Sequence, residues 1–238
     1  MEWQVPKKAS TVILVRPNDG GKFEILMTQR PLWMDFLGGF YVFPGGILEQ
    51  EDWSPEMLER CHGLTPAEAQ GILGHGMEPE LSLGHWIAAI RELFEEAGVL
   101  LGVTESGAAP DMKDEELKQK LSGGRRDLVQ GTVSLHELLR AQELYCDASR
   151  LIYLTHRITP EGNPMRFDTR FYLAALPQHQ TAMAQSEEVA HSVWVTPDSA
   201  LAGARKEEMP VIRPTRIILE SLADFDSWEA LTKAYPVK

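Results

Sequence analysis

The sequence predicts an α/β sandwich built on a mixed β-sheet, and three observations carry that reading. Ser10 to Val15 and Phe23 to Thr28 are apolar, β-rich runs separated by Asn18-Asp19-Gly20-Gly21, a strong hairpin signal. Strand-like runs return late in the chain, at Leu151 to His156, Arg166 to Leu173 and Ser192 to Val195. Between and after them lie segments whose apolar residues recur at helical spacing, most clearly Trp86, Ile87, Ile90, Leu93 and Phe94. Strands with helices interspersed fit packed layers around a sheet.

Taken in order, the first two strands are followed by a short one at Phe40 to Phe43, which leads into Pro44-Gly45-Gly46. Two helices are expected between Ser54 and Leu73. Ser54-Pro55 opens one, and Thr65-Pro66-Ala67-Glu68 opens the next with an N-cap and a proline at the first helical position. A longer helix follows from about Leu83, and Gly98 is placed to end it in the left-handed conformation. Asp111 to Asp147 reads as helical, with Ser122-Gly123-Gly124-Arg125-Arg126 as its internal break. That Gly-Gly-Arg-Arg is either a solvated loop or a phosphate cradle. Thr159 to Met165 is a turn between two strands, Thr196-Pro197-Asp198 starts a helix, and Ile217 to Tyr235 is amphipathic and helical. No internal repeat or low-complexity tract is present.

The chemistry concentrates in Arg91-Glu92-Leu93-Phe94-Glu95-Glu96-Ala97-Gly98-Val99. A helix turns every 3.6 residues, so Glu92, Glu95 and Glu96 share a face opposite the apolar stripe. Three like charges near the negative end of a helix dipole destabilise it unless a cation compensates. Carboxylate oxygens select hard divalent ions, and Mg²⁺ in particular bridges a few protein carboxylates to substrate phosphates. A solvated acidic face is the competing reading of these three residues taken alone.

Together with Phe43-Pro44-Gly45-Gly46, this segment resembles the signature of the Nudix hydrolases, Gly-x5-Glu-x7-Arg-Glu-U-x-Glu-Glu-x-Gly-U with U apolar. Its second half matches at every fixed position. In the first half, the spacing from Gly46 puts Asp52 where the family has Glu, and a long insertion separates Asp52 from Arg91. An interrupted box of this kind resembles the branch of peroxisomal coenzyme A diphosphatases and their bacterial relatives. Thr159-Pro160-Glu161 followed by Arg166-Phe167-Asp168-Thr169-Arg170-Phe171 resembles that branch as well. The resemblance implies one Nudix domain over 1–238, an α/β/α sandwich with a mixed sheet and helical insertions near 51–84 and 111–147, packed near the active-site mouth. It further implies a metal-dependent hydrolase that cleaves a phosphoanhydride, with Mg²⁺ or Mn²⁺ as cofactor. By the same resemblance Glu95 and Glu96 are primary ligands, Glu92 is a further ligand or the base, and the Gly46 carbonyl completes the shell. Glu187 and Glu188, before the Trp194 strand, are further candidates for base or ligand, with Glu188 preferred, and Arg91 is expected to fix a catalytic Glu through an ion pair.

The substrate is less constrained. Met27-Thr28-Gln29-Arg30, then Gly39 and Phe43-Pro44-Gly45-Gly46, partly resemble a coenzyme A hydrolase pattern, with Asp35 where that pattern has an internal Arg. Arg30 and Arg170 either grip substrate phosphates or pair with acids, and Trp33, Phe36, Phe40 and Tyr41 either stack a base or pack the core. Coenzyme A or acyl-coenzyme A leads. An ADP-ribose or dinucleotide pyrophosphatase is the alternative, and a non-catalytic nucleotide-binding or partner-binding module is the alternative from another class.

A net charge of −12 argues against a nucleic-acid surface, which needs clustered Lys and Arg. The expected partner is a small nucleoside diphosphate derivative, whose charge a metal would neutralise. No apolar run reaches membrane-spanning length, the N-terminus has no signal core, and Tyr235-Pro236-Val237-Lys238 lacks a Ser-Lys-Leu address, so a cytoplasmic protein is expected. Cys61 and Cys146 have no zinc-type spacing and read as structural thiols.

Overall fold

Strand β1 (Lys7–Pro17) organises the larger sheet because its two halves pair with different partners along one edge. Its first half runs antiparallel to β4 (Gly45–Ile47) and its last residues antiparallel to β2 (Phe23–Gln29). Its other edge runs parallel to β9 (Phe167–Ala175) from Lys7 to Val15. The computed structural model describes residues 5–18, 20–183, 185–186 and 189–235. Among these the sheet has seven strands. β10 (His191–Val195), β2, β1, β9 and β8 (Ile152–Ile158) form the path, and β3 (Tyr41–Val42) pairs with β2. One parallel pair among antiparallel ones makes it the mixed sheet expected.

Successive side chains of β1 point to opposite faces. Val12 and Leu14 join one apolar cluster, with the long helix α3 (Pro79–Ala97); Ile13 and Val15 join another, with α6 (Pro197–Arg205), α7 (Arg213–Ala223) and α8 (Trp228–Ala234). Covered on both faces, β1 reads as the near-continuous apolar run seen in its sequence.

Local signals set the element ends. Asn18 N–H bonds the Lys22 carbonyl across the β1–β2 hairpin, in which Gly21 takes φ +76°. Helix α1 (Pro55–Leu58) is capped by Ser54, and α2 (Pro66–Leu73) by a Thr65/Glu68 capping box. Gly98 ends α3 at φ +69°, its N–H donating to the Phe94 carbonyl. Helix α3 begins a turn earlier than expected, because Pro79 occupies N1 and Ser82 N–H already bonds the Glu78 carbonyl.

The two insertions differ from the expectation in two respects. They are helical only in part, since each also contributes a strand. β5 (Cys61–His62) from the first lies parallel to β7 (Leu144–Asp147) from the second, and β6 (Gly102–Thr104) completes a separate three-stranded sheet. The helix α4 (Glu115–Val129) also runs unbroken through Gly123-Gly124-Arg125-Arg126. The expected break, with its loop and phosphate-cradle readings, is therefore corrected. The chain turns instead after Gln130, where Gly131 takes φ +69°, before α5 (Leu135–Ala141). Gly124 is needed for packing: a Cβ there would lie 2.7 Å from a methyl of Leu138.

Candidate active site

The acidic segment occupies the last two turns of α3, with Trp86, Ile87, Ile90, Leu93 and Phe94 buried beneath it. It is not a solvated face. Glu92 and Glu96 are buried, and the Glu95 side chain is 19% exposed. The cause is the loop after β4, which folds over the helix. Leu48 N–H is fixed to the Lys8 carbonyl, and a short 3₁₀ turn at Gln50–Trp53 places Asp52 against Arg91.

Arg91 is the hub. Its Nε and Nη2 donate to the two Asp52 oxygens at 2.9 and 3.0 Å, a bidentate pair that is buried on both sides. Nη2 also donates to the Ile47 carbonyl at 2.9 Å. Nη1 reaches Glu92 Oε1 at 3.0 Å and Glu95 Oε2 at 3.2 Å. One guanidinium therefore ties the loop to the helix and holds two of the three glutamates. Burial works against its charge, but Asp52, Glu92 and Glu95 outweigh that and hold its pKa above the ordinary value. Burial pushes the Glu92 carboxyl up to about 8 against the pull of Arg91, with the like charges of Glu95 and Asp52 adding to the rise. Glu95 is raised as well, again chiefly by burial.

Gly46 packs onto Glu92 so closely that a Cβ at this position would collide with the carboxylate. Glu92 therefore faces Gly46. Glu95 and Glu96 instead line a cavity of about 390 Å³, walled by Glu49, Glu51 and Met57 on one side and by the turn from Leu128 to Glu137 on the other. Both insertions thus border the carboxylates.

Among the described residues, no three His, Cys, Asp or Glu side chains converge as a ready-made metal cage. Arg91 Nη1 contacts both Glu92 and Glu95. The donor set nevertheless suits Mg²⁺, which is commonly held by one or two carboxylates together with substrate phosphates rather than by an all-protein cage.

Other expected residues fall elsewhere. Arg30 donates to the Phe36 carbonyl and organises the loop after β2, and Arg170 is paired with Asp168 at 2.6 Å; neither lines the cavity. Arg170 is thus paired with an acid, whereas Arg30 bonds a backbone carbonyl. Phe36 packs against Phe167 in a tilted contact, ring centroids 5.3 Å apart, whereas Trp33 is 72% exposed. Glu187 and Glu188 lie outside the described residues. Cys61 and Cys146 are free thiols on paired strands, and burial raises the pKa of both, Cys61 to about 12.

Two participants escaped the sequence reading. Asp52 looks there like a departure from a motif, yet it is the main partner of Arg91; the signal available was its position three residues after Glu49, whose N–H it accepts at 2.8 Å. The wall from Ser134 to Glu137 carried only a helix-capping pattern, and nothing in it pointed toward the carboxylates.

A mixed sheet between helical layers, with a buried Arg-centred acid cluster on one helix, defines a Nudix-type hydrolase fold. The chain belongs to the Nudix family, and the profile that matches it is that of the NUDT19 Nudix domain, over residues 6–218. It is 29% identical over 243 residues to the acyl-coenzyme A diphosphatase NUDT19 of Gallus gallus, covering 89% of this chain and 64% of that protein. The human protein of the same name is 28% identical over 261 residues, covering 97% and 68%. The chain thus spans slightly under two thirds of the chicken relative's length. The crystal structure of a Nudix hydrolase from Alicyclobacillus acidocaldarius matches with a TM-score of 0.75 at 26% identity, over 99% of both chains. Among the described residues, no helix is long and apolar enough to cross a membrane.

Proposed function

We propose that this protein is a metal-dependent diphosphatase that cleaves the phosphoanhydride of a nucleoside diphosphate derivative, with coenzyme A or acyl-coenzyme A as leading substrate and Mg²⁺ or Mn²⁺ as cofactor. The observation that carries the reading is the placement of Glu95 and Glu96 on a polar cavity beside the Arg91 hub. The relatives named acyl-coenzyme A diphosphatase support the substrate class. Glu95 and Glu96 would hold the cation, with the Gly46 carbonyl or Glu92 as further donors. When bound, a divalent cation neutralises phosphate charge and lowers the pKa of water.

The protein's own part is positioning. Arg91 keeps Glu95 from swinging away, and it anchors the loop through Asp52. Glu92, held 3.0 Å from Arg91 Nη1 and packed on Gly46, is the first proposed base. Glu188 remains the second proposed base. The proposal includes a cytoplasmic location and no nucleic-acid partner, the latter on a net charge of −12.

The test is product release from coenzyme A, acyl-coenzyme A, ADP-ribose, NADH and diadenosine polyphosphates with Mg²⁺ and with Mn²⁺. Glu95→Gln and Glu96→Gln should each lower turnover on the order of 10²-fold while leaving the fold intact. Preferential cleavage of ADP-ribose would move the substrate and keep the site. Failure to turn over any of them would favour a binding module.

A further inference from the structure

We propose that Arg125 is a positioning residue for Glu95 and Glu96, through which the second insertion fixes the working end of the α3 helix; the inference rests on the metal-binding reading of those two glutamates. The last carbonyls of a helix have no partner within it. At the end of α3 the Phe94 carbonyl accepts the Gly98 N–H at 2.9 Å and, in addition, Arg125 Nε–H at 3.0 Å. The next carbonyl, that of Glu95, accepts from Arg125 Nη2. These two peptide groups belong to the turn that carries the side chains of Glu95 and Glu96 into the cavity.

Arg125 is 4% exposed, although it comes from a segment rich in surface charge. The grip of Arg125 on the two carbonyls is directional. A cation at the negative end of a helix is favourable, and a planar two-donor grip on consecutive carbonyls fixes the turn in rotation as well as in position. Helical continuity through Gly123-Gly124, with Gly124 packed on Leu138, aims the side chain this way. One turn further along α4, Leu128 and Val129 line the cavity that Glu95 and Glu96 face. Arg125 therefore ties the turn that carries the carboxylates to the helix that leads into the wall opposite them.

The experiment is Mn²⁺ titration of the metal-free protein, read by the electron paramagnetic resonance signal of unbound Mn²⁺, on wild type, Arg125→Lys and Arg125→Met. Thermal denaturation of each gives the folded fraction. Arg125→Met should weaken Mn²⁺ binding about 10-fold or more, and Arg125→Lys, which reaches one carbonyl, by less. Where Arg125→Met does not fold, Arg125→Lys decides. Wild-type Mn²⁺ affinity in the deciding variant, even with a lowered Tm, overturns the proposal and leaves Arg125 a packing residue. Glu96→Gln in an otherwise wild-type chain is the reference. If it leaves Mn²⁺ affinity intact, the metal reading itself fails and this inference falls with it, an outcome distinguishable from failure at Arg125 alone.

Discussion

Asp52 and His85 show how single residues set the stability of the site and of the sheet behind it. Asp52 and Arg91 form a buried bidentate pair, so removing the acid leaves Arg91 Nε without its carboxylate partner and only Glu92 and Glu95 to compensate the buried charge. Asp52→Ala should cost about 3–5 kcal/mol in urea denaturation; a cost under about 1 kcal/mol would show that Glu92 and Glu95 suffice to hold Arg91. His85 lies on α3, fully buried, with Nδ1 3.0 Å from Ser10 Oγ. Burial and the nearby Arg170 push its pKa down from 6.5 to about 3, with Lys8 adding and Asp168 opposing. A depressed histidine pKa contributes stability that is present above the unfolded value and lost as pH falls toward the folded one. The window is therefore about pH 6.5 down to 3, and the loss between pH 7 and pH 5 from this group is about 2 kcal/mol. Denaturation of wild type and His85→Gln at both pH values should show a flatter pH dependence in the variant. Equal slopes would remove His85 as the cause.

At the scale of elements, the pair Gly123-Gly124 separates what the sequence discloses from what it does not. Both lie inside α4, but a Cβ at 123 would meet only Arg126 Nη2 at 4.0 Å, whereas one at 124 meets Leu138 at 2.7 Å. Gly123→Ala should stabilise the protein by about 0.5–1 kcal/mol through helix propensity. Gly124→Ala should destabilise it through overpacking, and thermal melts showing the same sign for both would refute this account of α4. Two adjacent glycines are strong local punctuation, so the sequence reads them as a break, and only the packing of α4 on α5 and α3 reverses that. The same contrast runs through the chain. The β1–β2 hairpin, the α2 capping box and the Gly98 stop are local signals, legible without a structure. The Arg91 to Val99 segment is legible as chemistry because, together with Phe43 to Gly46, it resembles the Nudix signature; its carboxylate spacing alone leaves a solvated face open. The pairing of Cys61 with Cys146, the role of Asp52 and the burial of Arg125 depend on contacts between distant segments, which no local pattern encodes.

Across the whole molecule, the two insertions meet twice. They meet in the small sheet, where β5 pairs with β7, and again around the cavity, where Glu49 to Met57 faces Leu128 to Glu137. The scaffold thus supplies the carboxylates, and under the proposed activity the insertions would surround the part of the substrate beyond the phosphates, the usual place for substrate selection on a shared fold. Because the small sheet joins the insertions, deleting either would disturb both, and a side chain on the wall is the cleaner probe. His136 is partly exposed and lines the cavity from α5, away from the Arg91 hub. His136→Ala should alter KM and leave kcat near wild type, the pattern expected when binding is lost equally from ground and transition states. The ratio of kcat/KM for acyl-coenzyme A over ADP-ribose should shift by about threefold or more, with Mn²⁺ affinity unchanged. Steady-state kinetics on both substrates, beside Mn²⁺ titration, check this. If the ratio stays constant, the wall does not select the substrate, and a contact between copies of the chain becomes the role to test for the second insertion.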